Sequence, residues 1–179
     1  ILTNRGSLYS FPDYLLVWNE LIADQAVRYH QYPREQIRVT GIPSFDIYAQ
    51  PERYPSEAEW RLENKLPPSG PVITYSLSSM HIYEAEDVVI QRLIDARKEG
   101  KLPADASILV RFHPSAVDDV AARYQAMEGV VLQFPSKTFS HRQNDETAGT
   151  GMMMLAATMR YSAVVVNVFS TLCLEAMCC

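Results

Sequence analysis

The residues best suited to chemistry lie near the end of the chain, where Ser162 to Ala176 reads SAVVVNVFSTLCLEA. The apolar run Ala163 to Val168 has the composition of a buried strand, and Ser170-Thr171 follows almost at once. Leu172, Leu174 and Glu175 then begin a helix. Where a parallel strand hands over to a helix, hydroxyls and backbone N–H groups converge, and the positive end of the helix dipole favours an anion such as phosphate. Glu175 stands four residues after Thr171, which puts both on one helix face. Its carboxylate can accept two hydrogen bonds from a ribose diol. A helix cap followed by a solvated glutamate would have the same sequence.

A second constellation is Arg111-Phe112-His113-Pro114, at the end of the strand-like run Ser107 to Phe112. Pro114 keeps His113 out of the helical region, at a strand tip. There an imidazole can donate to a phosphate oxygen or act as general acid or base near neutral pH; capping the next helix is the plainer alternative. Arg111 lies two residues earlier and leaves the same sheet face, where burial demands a partner. A third group, Ser76, Ser78 and Ser79, follows the strand Val72 to Tyr75 and offers hydroxyls to a phosphate or sugar, or forms an ordinary polar loop. Asn167 can order the Ser170 loop. His141, Asp145 and Glu146 fall in a polar stretch that could border the same crevice. His30 and His81 read as surface or loop histidines, and Met152-Met153-Met154 as helix packing.

These positions follow from an alternation of strands and helices. Tyr14 to Trp18, a helix from Asn19-Glu20 through Tyr29, and the strand Ile37 to Thr40 make a βαβ unit over residues 1–49. Residues 50–71 are broken by Pro51, Pro55, Pro67, Pro68 and Pro71 and read as a linker carrying one helix, Glu57 to Leu66. From residue 72 to 179 strands are expected at Val72 to Tyr75, Ser107 to Phe112, Val130 to Phe134 and Ala163 to Val168. Helices are expected at Glu84 to Glu99, Ala116 to Met127 and Met152 to Met159, with Thr138 to Gly151 as loop. The pattern predicts a Rossmann-like, doubly wound α/β fold with a parallel sheet. Ligands of such sheets bind beyond the carboxyl ends of the strands, where all three constellations lie.

Composition narrows the classes. Of 179 residues, 47% are hydrophobic and 21% charged, as in ordinary globular domains. A net charge of −5 argues against a general nucleic-acid binder. No apolar run approaches bilayer length, and no signal peptide is evident. The three cysteines, Cys173, Cys178 and Cys179, lack metal spacing and read as reduced thiols. No zinc spacing, GxGxxG, P-loop or nucleophile elbow occurs. Ile1 opens the chain without a methionine, and Cys179 closes it two turns into a helix, so sequence is expected to be missing at both ends.

RFHP after a strand, then an Asp-containing loop, then VVVNVFSTLCLEA resembles the carboxyl-terminal half of GT-B glycosyltransferases. The resemblance is nearest to bacterial enzymes of surface-polysaccharide synthesis: capsule and lipopolysaccharide transferases, CDP-glycerol glycerophosphotransferases and the UDP-N-acetylglucosamine 2-epimerase group. DYLLVWNE and IRVTGIPSFD are similar to the segment that closes the amino-terminal domain, with Gly41, Pro43 and Asp46 at the domain junction. The match spans about Asp13 to Ala176. It implies a GT-B fold with residues 72–179 binding a nucleotide-sugar through Arg111, Ser76, Ser78, Ser170, Thr171 and Glu175. His113 is implied as the catalytic group at the donor phosphate or leaving group. No metal and no cofactor are implied, the nucleotide-sugar being a substrate.

The implied partners are a nucleotide-sugar donor and a glycan or lipid-linked acceptor, with no nucleic acid. The implied setting is cytoplasmic, and the resemblance leaves room for peripheral contact with the inner membrane face and for a homo-oligomer. Three functions are compatible: sugar transfer to a surface glycan, epimerisation or polyol-phosphate transfer on the same scaffold, and non-catalytic nucleotide-sugar binding. The family pattern continues beyond the STxxxEA helix and includes most of an amino-terminal Rossmann domain, so this stretch alone is expected to be poorly active.

Overall fold

A computed structural model describes residues 12–78, 85–113, 123–135, 146–168 and 170–179. The chain divides into two compact units, residues 1–46 and 47–179.

In the first unit, β1 (Leu15–Val17) and β2 (Ile37–Val39) pair in parallel, with Leu15 opposite Ile37 and Val17 opposite Val39. The crossover is α1 (Glu20–His30), whose first turn is capped by Asn19: its Oδ1 accepts from the Ile22 amide at 2.9 Å. The helix ends at Gln31, in the left-handed conformation. Val17, Ala23, Ala26, Tyr32 and Ile37 form its small core.

The second unit begins with α2 (Glu57–Glu63), opened by a capping box in which Ser56 and Glu59 exchange hydrogen bonds. This helix lies in the segment expected to be a linker, yet its Trp60 is fully buried. Its Arg61 is buried too, and donates from Nε to Glu57 Oε1, from Nη1 to Pro67 O and from Nη2 to Gly70 O. Four parallel strands follow: β3 (Val72–Ser76), β4 (Ser107–Arg111), β5 (Val130–Gln133) and β6 (Val164–Val166). Their order is β5-β4-β3-β6. The chain therefore walks from β3 outward through β4 to β5, then returns to the other side of β3. That reversal is the topological switch point of a doubly wound sheet, and it falls between β3 and β6.

Alternation along each strand supplies two buried faces, which is why β3 and β4 are buried at every position. Tyr75, Ile108 and Val110 meet Ile90 and Ile94 of α3 (Glu86–Lys98) on one face, together with Tyr124 from the helical residues 123–125. The opposite face belongs to α4 (Glu146–Tyr161) and α2, joined where Trp60 Nε1 donates to Thr158 Oγ1 at 3.0 Å. Here the structure departs from the expected loop over Thr138 to Gly151, because residues 146–151 already belong to α4. Gly149 and Gly151 read as breakers, but each costs a helix only about 1 kcal/mol, which tertiary packing readily offsets. The final helix is α5 (Leu172–Ala176). α2 ends at Glu63, three residues short of the expected Leu66; the remaining expected elements match within one or two residues where they are described, whereas Ala116 to Met127 lies mostly outside the described residues.

Trp60 is the largest fully buried side chain, and its indole N–H has a buried acceptor. Trp60→Ala is expected to cost about 3–5 kcal/mol in urea unfolding, while Leu62→Ala on the exposed side of the same helix should stay within about 0.5 kcal/mol. Equal effects of the two substitutions would refute this packing.

Candidate functional site

Strand register brings the polar residues together. Ser76 pairs with Arg111, and Arg111 with Gln133. Residues in register on parallel strands leave the same face, so these three form a row across the carboxyl ends of β3, β4 and β5. On the far side of β3, Tyr75 pairs with Val166, which sets Asn167 one step beyond, next to the row. An alternating pattern thus ends in apolar residues on the α3 face and in polar residues on the α4 face.

Arg111 is the centre of this row. It is 7% exposed, and its Nη1 donates to Gln133 Oε1 at 2.7 Å. Burial pulls the guanidinium down to about 10, with the carboxylate of Glu175 and the phenol of Tyr48 pushing back. It remains a cation at neutral pH. Glu175 is also buried, and its Oε2 accepts from Tyr48 Oη at 2.5 Å. Burial and the Glu175 carboxylate drive the Tyr48 pKa upward, so the phenol stays protonated and acts as the donor. Glu175 is therefore no solvated glutamate; it stands one helical turn from Thr171, with its amide bonded to Thr171 O at 3.3 Å, and is buried where Thr171 is solvent-exposed.

Ser170 and Thr171 depart from the expected anion grip in a specific way. Ser170 Oγ accepts from the Leu172 amide at 3.2 Å, so it caps α5. The amides of Cys173 and Leu174 turn back onto Ser170 O and Thr171 O. With those N–H groups engaged and only five residues in the helix, what remains for a ligand is the hydroxyls. Asn167 makes no side-chain hydrogen bond among the described residues, so it does not order this loop.

The β3 loop splits the serines. Ser76 is buried and its hydroxyl has no hydrogen-bond partner among the described residues. Ser78 is committed: its amide and its Oγ both donate to Glu86 Oε1, at 2.9 and 3.0 Å, and Tyr75 Oη donates to the same oxygen at 3.3 Å. Glu86 opens α3 and is buried. Its charge reaches His113, whose pKa burial pushes down and Glu86 partly restores. Half-buried His113, just past the end of β4, is thus held towards its neutral form. Ser79, His81, Pro114, His141 and Asp145 lie outside the described residues, as does the side chain of Glu146. His30 is the last residue of α1 in the first unit. Met154 lies in α4, where its Sδ accepts from Asn64 Nδ2 at 3.6 Å.

Sequence reasoning missed Glu86, Tyr48, Gln133 and Thr158. Each is a common residue with no local signature, and each acquires its meaning from a partner distant in the chain. Among the described residues no three or more His, Cys, Asp or Glu side chains gather as a metal site, and no helix is long and apolar enough to cross a membrane.

The arrangement defines a doubly wound parallel α/β unit with a buried cation and free hydroxyls at the carboxyl edge of its sheet. Solved structures of the wall teichoic acid polymerase TagF share this fold. One superposes with a TM-score of 0.53 at 19% identity, covering 92% of this chain and 37% of that one. A histidine-to-asparagine variant gives 0.55 at 18% identity over 93% and 37%, and the same variant soaked with CDPG gives 0.52 at 20% over 92% and 35%. The chain thus spans little more than a third of the length of these neighbours. No family model matches the sequence, and no curated protein does.

The half-buried imidazole makes stability depend on pH. In the unfolded chain His113 titrates near about 6.5, and in the folded chain lower. Below that pH the unfolded state binds more protons, so stability should fall on acidification from about pH 6.5. His113→Gln should flatten this part of a urea-unfolding pH profile; an unchanged slope would show that His113 titrates normally.

Proposed function

We propose that this chain belongs to a GT-B-type transferase and supplies the part that binds a nucleotide-activated donor for synthesis of a surface polymer. On this reading residues 72–179 form the donor-binding domain, 50–71 the linker, and 1–49 the end of an amino-terminal domain. The reading is carried by the row of Ser76, Arg111 and Gln133 at the sheet's carboxyl edge, beside the switch point where such sheets take ligands. The fold shared with TagF supports it further and fits transfer of either a sugar or a polyol phosphate, since those structures belong to a wall teichoic acid polymerase and one was soaked with CDPG.

The chemistry then divides among residues already in place. A departing nucleotide develops negative charge on its phosphate, and the buried Arg111 cation with the Ser76 and Ser170 hydroxyls stabilises it without reorganisation. His113, kept neutral by burial, takes the proton of the acceptor hydroxyl as general base. Glu175 offers Oε1 to the ribose while Oε2 stays with Tyr48. The setting is the cytoplasm, where nucleotide-activated donors are found, and the acceptor is a glycan or lipid-linked polymer.

Thermal-shift titration with CDP, UDP, CMP and GDP tests this. One nucleoside diphosphate should raise Tm by mass action. Glu175→Gln, which still offers an acceptor to Tyr48, should weaken that nucleotide by about 1–3 kcal/mol, the usual worth of a charged hydrogen bond. No shift with any nucleotide, or full affinity in Glu175→Gln, would contradict the assignment.

A further inference from the structure

Buried guanidinium groups ordinarily meet a carboxylate; Arg111 meets an amide. Its one hydrogen bond goes to Gln133 Oε1, and no carboxylate forms an ion pair with it among the described residues. Gln133 has no freedom to turn. Its Nε2 donates to Asn64 Oδ1 at 2.8 Å and to Thr158 Oγ1 at 2.9 Å. The Thr158 hydroxyl proton goes to Met154 O at 2.8 Å, and its oxygen also accepts from Trp60 Nε1. Asn64 Nδ2 donates to Trp60 O at 2.8 Å. Gln133 Oε1 also lies 3.3 Å from Thr158 Oγ1, so the amide is oriented by Arg111 as well: turned over, it would set Nε2 against the N–H donors of the guanidinium.

The remaining N–H groups of Arg111 have no hydrogen-bond partner among the described residues. Arg111 lines a cavity of about 700 Å³ whose wall also includes Gln133, Asn64, Lys65 and one acidic residue, Glu63. Lys65 brings a second cation from an unusual backbone position. It follows α2 at φ 56°, with Leu66 N donating to Arg61 O and Lys65 N to Leu62 O. This is the Schellman ending, where glycine is the common residue because a side chain is strained there.

We propose that Gln133 is a positioning residue: it fixes the direction of the Arg111 guanidinium with a neutral acceptor, leaving it without a directly bonded counter-ion, with only the longer-range charge of Glu175 against it, for a diphosphate that enters this cavity. A glutamate in the same place would fix the fork equally well but neutralise it. Glu63 offsets part of the Lys65 charge at this wall, so the planar fork of Arg111 carries the selection, and a fork suits a group with several acceptor oxygens on linked charges. Identifying that group with the donor's diphosphate rests on the transferase reading above; the anion site itself does not.

Calorimetric titration of the whole chain with inorganic pyrophosphate, at low and high salt, tests the inference. The unmodified chain should bind, less tightly as salt rises. Gln133→Glu should lose about tenfold or more in affinity while its Tm holds or rises, because the new carboxylate supplies the missing counter-charge. Affinity and Tm falling together would mark Gln133 as merely structural, and pyrophosphate binding that is absent or unchanged in Gln133→Glu would equally overturn the proposal. Should Gln133→Glu not fold, the guanidinium NMR resonances of Arg111 in the unmodified chain decide: they shift with pyrophosphate if the proposal holds and stay fixed if it fails. Pyrophosphate binding of the expected kind without any nucleotide binding would sink the transferase reading and leave this site standing. Nucleotide binding that is indifferent to Gln133→Glu would do the reverse.

Discussion

The organisation of the second unit turns on the burial of one positive charge. Taking a guanidinium out of water costs several kcal/mol unless polar atoms surround it. Here Gln133 of β5 supplies the acceptor, and Asn64 after α2 and Thr158 of α4 hold Gln133 in place. The same bonds hold α2 and α4 against the sheet, since Trp60 Nε1 and Gln133 Nε2 converge on one threonine oxygen. Packing of the sheet's polar face and the orientation of the Arg111 cation are one arrangement, and Glu175 with Tyr48 contributes a second, partly balancing charge at longer range.

Strand order decides where that charge can act. With β3 central and the chain reversing direction beside it, the switch point between β3 and β6 falls where doubly wound sheets take their ligands. Ser76 lies on the rim, Arg111 and Gln133 continue the row to one side, and the Ser170 loop follows β6 on the other. His113 and Glu86 lie just beyond the ends of β4 and β3. Their coupling ties an ionisable ring to a carboxylate that three hydrogen bonds already hold in place.

Much of this was legible in the residues. The alternation of apolar runs with helix-forming segments, and proline and glycine between them, specifies the strands and α1 and α3 to within a residue or two, whereas α2 ends three residues early. Arg111 announced itself as a charge on a buried strand that needed a partner. The partner did not, because nothing local says that residue 133 stands in register with residue 111; register emerges only when strands assemble. Glu175 offered a ribose ligand on local spacing, but its contact with Tyr48 joins residues 127 apart and could not be read from either. Thr158 was hidden in an apolar helix that looked like packing alone. The start of α4 was obscured by two glycines, whose small local cost is outweighed by long-range contacts.

Mapping by NMR bears on the central claim most directly. If a negatively charged donor group binds at the carboxyl edge of the sheet, adding a nucleoside diphosphate to labelled chain should move amide resonances at residues 76–78, 111–113, 133 and 167–172 together, at one common dissociation constant. Shifts confined to the first unit, or to the amino-terminal ends of β3 to β6, would contradict it.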